Sequence, residues 1–329
     1  MTGIRLLAHD PRIGAVTMST QDLEAFESAR PRLAAIAYRL LGSASEAEDA
    51  VQEAYLRWDA AERSAIETPP AWLTRVLTNL CLTQLDSARA RREAYVGQWL
   101  PEPLLGDDPM LGPAETAEQR EAVSLAVLGL LETLSPRDRA VLVLREAFSH
   151  SHAEIAEILG TTEAGSQQAL ARARRQLGTG RRRRPVDAER AREVTAAFLE
   201  AAIGGDLDRL LDLLEADVTS RADGGGVFRA ARRPVHGAPT VATYLRSIFR
   251  PTAAKREAAG GAVDIHLVEV NRAPALLLTA DGDPLGVIAL ALDGERIDAV
   301  RIQLAPAKLA RLREHWAGRA SEPPLTRLW

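Results

Sequence analysis

The stretch from Ser135 to Leu177 constrains this chain most, because its helix starts and stops are spelled out residue by residue. Ser135-Pro136-Arg137-Asp138 offers a capping hydroxyl, a proline at the first helical position and an acid in the first turn. Ser151-His152-Ala153-Glu154 is a second start, with the spacing of a capping box. Ile155, Ile158 and Leu159 mark one buried face of a short helix. Gly160 ends it, since glycine accepts the left-handed conformation of a helix terminus. Thr161-Thr162 opens the next helix, which runs to Leu177 and carries Arg172, Arg174 and Arg175. The expectation is a four-helix module ending in a helix-turn-helix, the shape that enters a DNA major groove.

A nucleic-acid role does not follow from average charge. The chain has 41 basic and 45 acidic residues, a formal charge of −4, so its positive charge must be gathered locally. Three clusters qualify: Arg89, Arg91 and Arg92; Arg172, Arg174 and Arg175; and Arg181–Arg184. With 329 residues there is room for two or three domains, each with a core. The lone cysteine, Cys81, excludes an internal disulfide and fits a reducing compartment. It lies in the apolar run Val76–Leu82, the setting of a core residue and not of a nucleophile. No run approaches the ~20 apolar residues of a membrane span, and the N-terminus lacks a signal-peptide core. The chain is therefore expected to be cytoplasmic, without a membrane partner. Met18 offers a second start, which leaves residues 1–17 as a disordered leader.

The first half reads as helical. Leu33, Ile36, Ala37, Leu40 and Leu41 repeat at helix spacing, and Ala47, Ala50, Val51, Ala54, Tyr55 and Trp58 follow a Ser45…Glu48 capping box. Thr68-Pro69-Pro70 starts a third helix through Trp72, Leu73, Val76, Leu77 and Leu80 to about Tyr95. The segment Trp99–Pro109, with three prolines and a glycine, is a linker and not a helix. The second module resumes near Pro113 and ends at Gly178, and a basic linker covers 179–187. Beyond it, helices at Ala188–Gly204 and Asp206–Glu215 lead into strands at Asp264–Val270, Ala275–Thr279, Leu285–Leu292 and Ile297–Leu304. Asn271-Arg272, Asp281-Gly282-Asp283 and Asp293-Gly294 read as hairpin turns. An antiparallel meander and a closing helix at Pro306–Trp316 complete an α+β layout.

These residues carry a family resemblance. Leu40-Leu41-Gly42-Ser43 with Glu46–Tyr55 resembles the second conserved region of extracytoplasmic-function sigma factors, and Leu134–Arg174 resembles their fourth region. Trp99-Leu100-Pro101-Glu102-Pro103 resembles the linker signature of a subgroup with a C-terminal SnoaL-like domain of the ketosteroid-isomerase type. Asp223-Gly224-Gly225-Gly226 resembles that domain's signature loop. The implied fold is multidomain: two all-α sigma modules, the second with the helix-turn-helix, and an α+β SnoaL-like cone. The implied boundaries are 18–96 for region 2, 97–112 for the linker, 113–178 for region 4, 188–318 for the cone and 319–329 for a tail. The resemblance implies recruitment of core RNA polymerase to promoter DNA, regulated by the extension. Asp49, Gln52 and Glu53 would face the polymerase. Asn79–Arg92, including Arg89, Arg91 and Arg92, would read the upstream part of the promoter bubble. Ser166, Gln167, Gln168, Arg172 and Arg175 would meet the more distant element. Asp223–Gly226 would be the regulatory loop.

Departures from the family pattern fall where DNA should be held. Thr83-Gln84-Leu85-Asp86 replaces an acid-base-leucine-base run, and Gln167 stands where an arginine is common. Each lost phosphate contact lowers the salt slope by roughly one unit, so weakened DNA binding is expected. Gln167 and Gln168 retain the donor-acceptor pair that matches adenine. Arg181–Arg184 reads equally as a phosphate-binding strip or a solvated linker. Ala305-Pro306-Ala307-Lys308-Leu309 replaces the subgroup's Asn-Pro-Asp-Lys-Leu run, which puts the usual contact between cone and sigma modules in question.

Two readings follow. One is a transcription initiation factor. The other is a former sigma factor whose cone is an isomerase, cyclase or hydrolase, or binds a small ligand. Pocket candidates for the second are Asp223, His236, Tyr244, Asp264 and His266, as general bases or polar contacts. No metal-ligand spacing and no phosphate loop with its lysine occurs, so no metal or cofactor is expected.

Overall fold

The structure, a computed structural model, describes residues 19–93, 95–112, 123–178, 184, 186–319 and 323–328. The expected leader at 1–17 lies outside them, as do 113–122 and most of the basic linker, including Arg181, Arg182 and Arg183.

The first module is three helices, α1 (Thr20–Leu41), α2 (Ala44–Asp59) and α3 (Pro69–Glu93). Ser19 and Asp22 close a capping box at the start of α1. Ser43, not the expected Ser45, caps α2 through the Glu46 amide. Ser45 is drawn off to the linker, where its hydroxyl donates to Glu102. Ala47, Ala50, Val51, Ala54 and Trp58 of α2 and Leu73, Leu77, Cys81 and Leu85 of α3 fill one core with Leu33, Ile36, Tyr38 and Leu40 of α1.

The second module is α4 (Leu125–Leu131), α5 (Pro136–Glu146), α6 (His152–Leu159) and α7 (Glu163–Gly178). Its caps are those the sequence shows: Ser135 on the Asp138 amide, a Ser151–Glu154 capping box, and Gly160 at φ 60° between α6 and α7.

The C-terminal unit is an α+β domain. Helices α8 (Ala188–Gly204), α9 (Leu207–Leu213), α10 (Ala238–Phe249) and α11 (Ala253–Ala259) accompany strands β1 (Leu214–Asp223), β2 (Val235–His236), β3 (Val263–Val270), β4 (Ala273–Ala280), β5 (Asp283–Asp293), β6 (Arg296–Gln303) and β7 (Thr326–Arg327). A 3-10 turn at Pro306–Leu309 leads into α12 (Ala310–Ala317). Strand order is β2-β1-β6-β5-β4-β3-β7. The meander β3 to β6 is antiparallel as expected, but β1 joins β6 in parallel, so the sheet is mixed. The expected helix to Glu215 stops at Leu213, because Leu214 onward pairs with β6. The expected tail also contributes β7, whose Thr326 and Arg327 pair with Ile265 and Asp264.

Strand alternation gives the sheet two buried faces. Ile265, Leu276, Ile288, Val300 and Ile302 pack against Phe198 of α8 and Leu245 and Phe249 of α10. Val268, Val270, Ala275, Leu277 and Val287 on the other face join the core of the two helical modules, together with Leu309, Leu312 and Trp316 around α12. Ala126 of α4 sits against Ala291 and Ala299, small residues that let helix and sheet approach closely. The C-terminal domain therefore shares a hydrophobic core with both helical modules.

Candidate functional site

Helix α2 turns its alanines and Trp58 inward, which leaves Asp49 and Gln52 exposed and Glu53 half-exposed on the opposite face. Glu53 accepts from Arg57 one turn on, at 3.0 Å. This is the acidic face that the family resemblance would turn toward the polymerase. Its edge is not bare: Glu48 pairs with Arg311 of α12.

Helix α3 carries the segment that the family resemblance would assign to promoter reading. Asp86 is exposed, while the side chains of Arg89, Arg91 and Arg92 lie outside the described residues. Asn79 lies against α6, its amide 3.5 Å from the Ile158 carbonyl. Arg139 of α5 donates to Leu40 O of α1 and to Glu132, both at 2.8 Å; burial pulls its pKa down to about 10. The two helical modules are thus packed on each other.

On α7, Gln167, Gln168, Arg172 and Arg175 are exposed. Ser166 is not with them. It is fully buried, its hydroxyl 2.9 Å from His152 Nδ1, because the helix phase that exposes 167 and 168 turns 166 into the α6–α7 contact. Arg172 forms a two-point ion pair with Asp138, the shorter contact 2.7 Å, and Arg174 meets Glu146 at 2.5 Å. Two of the three guanidiniums on this helix therefore already face carboxylates. Arg175 folds back to its own helix, 3.3 Å from Ala171 O.

The linker is an organised element. Glu102 caps α2 from outside, accepting from Ser43 Oγ at 2.6 Å and from the Ala44 amide at 2.9 Å. Burial raises its pKa, against the pull of those hydrogen bonds. Leu100 donates its amide to Asp223 at 3.0 Å, and Leu100 O and Pro101 O accept from Gln303 at 3.3 and 3.2 Å. Leu104 and Gly106 then run along the end of β3, with Leu105 bridged to Val270.

Asp223 is the hub of this junction. Fully buried, it accepts from Tyr95 Oη at 2.7 Å, the Leu100 amide, the Gly225 amide and Lys308 Nζ at 2.7 Å. The triple-glycine loop makes this possible. A side chain on Gly224 would strike the Phe228 carbonyl, and Gly225 sits at φ 60° with Ala305 where its Cβ would be. Lys308 also donates to Leu100 O at 2.8 Å and lies 4.2 Å from the Trp99 ring centroid. The contact that the Ala305–Leu309 run put in question is therefore made: Lys308, the retained cation, carries it without the lost Asn and Asp. Sequence reasoning also missed Arg311, which clamps buried Asp108 of the linker by two contacts of 2.7 and 2.9 Å.

The five pocket candidates do not converge. Asp223 is sealed under the linker; His236 is exposed on the edge strand β2; Tyr244 is half-buried on α10. Asp264 pairs with Arg327 at 2.6 Å, and His266 is buried edge-on against Trp316, its Nε2 3.2 Å from Thr279 Oγ1. The inner face of the sheet is filled by Phe198, Phe249 and their aliphatic neighbours. A cleft of about 690 Å³ opens instead between Trp99, Leu130, Leu134, Arg221 and Arg301, at the junction of linker, region 4 and sheet. Among the described residues no cluster has the make-up of a metal site, and no helix is long and apolar enough to cross a membrane.

Comparison with known proteins follows the same division. The Sigma-70 region 2 family matches residues 25–91 and the Sigma-70 region 4 family residues 124–177. The sigma factor SigJ of Mycobacterium tuberculosis H37Rv is 39% identical over 230 residues, spanning 70% of this chain and 73% of that one. The chain is an extracytoplasmic-function RNA polymerase sigma factor. A second relative of this sigma factor, the probable factor SigI of M. tuberculosis, is 32% identical over 301 residues, 89% of this chain and 97% of its own. The crystal structure of M. tuberculosis SigJ superposes with a TM-score of 0.69 at 30% identity, covering 88% of the sigma factor and 98% of SigJ. The likeness therefore extends through the C-terminal α+β domain.

Proposed function

We propose that this sigma factor recruits core RNA polymerase through the exposed face of α2 and reads promoter DNA with α3 and α7, while its C-terminal domain restrains initiation by holding those helices in one closed body. Asp49, Gln52 and Glu53 are the polymerase-facing set. Arg89, Arg91 and Arg92 serve the upstream edge of the bubble, and Gln167, Gln168, Arg172 and Arg175 the more distant element. The observation that carries the restraint is the Asp223 junction. One buried carboxylate joins the regulatory loop, Lys308 and the Trp99–Pro103 linker. Two modules that must sit on separate promoter elements cannot do so while Arg139 bonds Leu40 O and Asn79 lies on α6.

The test uses the full chain and purified core polymerase. Immobilised sigma factor should retain polymerase, and Lys308→Ala should retain more, because the junction opens more readily. A chain that retains none overturns the recruitment reading. Equal retention by wild type and Lys308→Ala overturns the restraint alone. Asp86→Arg and Gln167→Arg should each raise DNA affinity and steepen its salt dependence by roughly one unit.

A further inference from the structure

The turn between β3 and β4 has an unusual place for a hairpin tip. Asn271 and Arg272 both lie in the left-handed region, at φ 50° and 63°, as a two-residue turn requires. A hairpin tip normally meets water, yet Asn271 is fully buried. Its side chain is spent on segments outside its own domain. Oδ1 accepts from the Leu104 amide of the linker at 2.9 Å. Nδ2 donates to Tyr38 Oη of α1 at 2.7 Å and to Val123 O, two residues before α4, at 2.9 Å. Its backbone amide donates to Leu104 O at 2.8 Å. Tyr38 passes the chain on, donating to Glu102 O at 2.7 Å.

One amide thus uses both of its N–H donors and its oxygen on three different bodies: region 2, the linker and the entrance to region 4. Leu105, Leu111, Val123 and Val270 make the same core apolar, so no water is at hand to take over a lost bond. Such a group gives little net stability but enforces register, because any displacement of one body strands a polar atom in a dry core.

We propose that Asn271 is a positioning residue, the pin through which the C-terminal domain sets where region 2 and region 4 sit relative to one another. It touches neither DNA nor polymerase and acts through Tyr38, Leu104 and Val123. The proposal rests on the reading that the closed body restrains initiation, and the experiment separates the two.

Asn271→Gly keeps the turn, since glycine takes a positive φ without steric cost, and removes all three side-chain bonds. Tyr38→Phe removes one of them from the far side without altering the hairpin. Donor and acceptor dyes are placed on the full chain at Glu67→Cys in region 2 and Glu163→Cys on α7. Wild type should show a single high-transfer population. Tyr38→Phe should raise the low-transfer population roughly fivefold, and Asn271→Gly more than that, at unchanged helical and sheet content. Adding Tyr38→Phe to Asn271→Gly should add less than Tyr38→Phe costs alone, because the bond to Asn271 is already gone and only the one from Tyr38 to Glu102 O is left to lose. Core polymerase affinity should rise in the same order. Unchanged transfer efficiency in a folded Asn271→Gly chain overturns the pin. If that chain fails to fold, Tyr38→Phe decides: high transfer alone overturns it. Opening without any gain in polymerase affinity upholds the pin and overturns the restraint reading.

Discussion

Lys308 sets its ammonium 2.7 Å from the fully buried Asp223 carboxylate, and only 11% of its own side chain is exposed. A pair this dry is worth little net, but removing one partner leaves the other charged in a low-dielectric setting. Asp223→Ala is expected to cost about 3–5 kcal/mol in urea unfolding. Lys308→Met should cost less, because Tyr95 and the Leu100 and Gly225 amides still serve Asp223. The double variant should be more stable than the sum of the two. Strict additivity would mean the pair is not coupled.

The helix-turn-helix was legible because its boundaries are local chemistry: Ser151 bonds Glu154 and Gly160 turns left-handed whatever lies beyond. The hairpins from β3 to β6 were legible for the same reason. Strand β1 was not. Leu-Glu-Ala-Asp favours helix locally, and pairing with β6, about 80 residues on, and with the edge strand β2 makes β1 a strand. Asn271 was correctly read as a turn residue, but its burial depends on Tyr38, 233 positions away. Lys308 and Arg311 escaped because their partners Asp223 and Asp108 have no periodic relation to them. Ser166 was misplaced by one helical step.

Arg172 is held by Asp138, so its charge is partly spent before DNA arrives. Asp138→Asn should free it. Affinity for duplex DNA is expected to rise, and the slope of log affinity against log salt to steepen by roughly one unit. The capping bond is kept, since Ser135 bonds the backbone amide of residue 138. A salt titration showing an unchanged slope would mean Arg172 does not reach phosphate.

Arg311 grips Asp108, which is 1% exposed, and also reaches Glu48 beside Asp49. Arg311→Lys should lose the two-point fork and keep the charge. The expected result is a folded protein that binds core polymerase more tightly, with Arg311→Ala stronger in effect but less stable. Surface-immobilised core polymerase measures it. Equal affinities across the three chains would show that the α12 contact does not limit access to α2.

The Asp264–Arg327 pair holds β7 on the edge of β3, at 2.6 and 2.9 Å. The hydrogen bond from Arg327 lowers the pKa of Asp264. A carboxyl depressed on folding stabilises the folded state above its unfolded value, and the gain is lost as pH falls toward the folded value. Asp264→Asn removes that gain at every pH. The gap in unfolding midpoint between wild type and Asp264→Asn should therefore be constant from neutral pH downward. It should begin to close near the unfolded carboxyl value of about 3.9, and vanish only below the lower folded one. Most of the pair is solvated, 65% of the Arg327 side chain being exposed, so the gap should be small and shrink in high salt. A gap that widens on acidification would mean that the carboxylate is destabilised where it sits, and that backbone pairing alone keeps β7 in place.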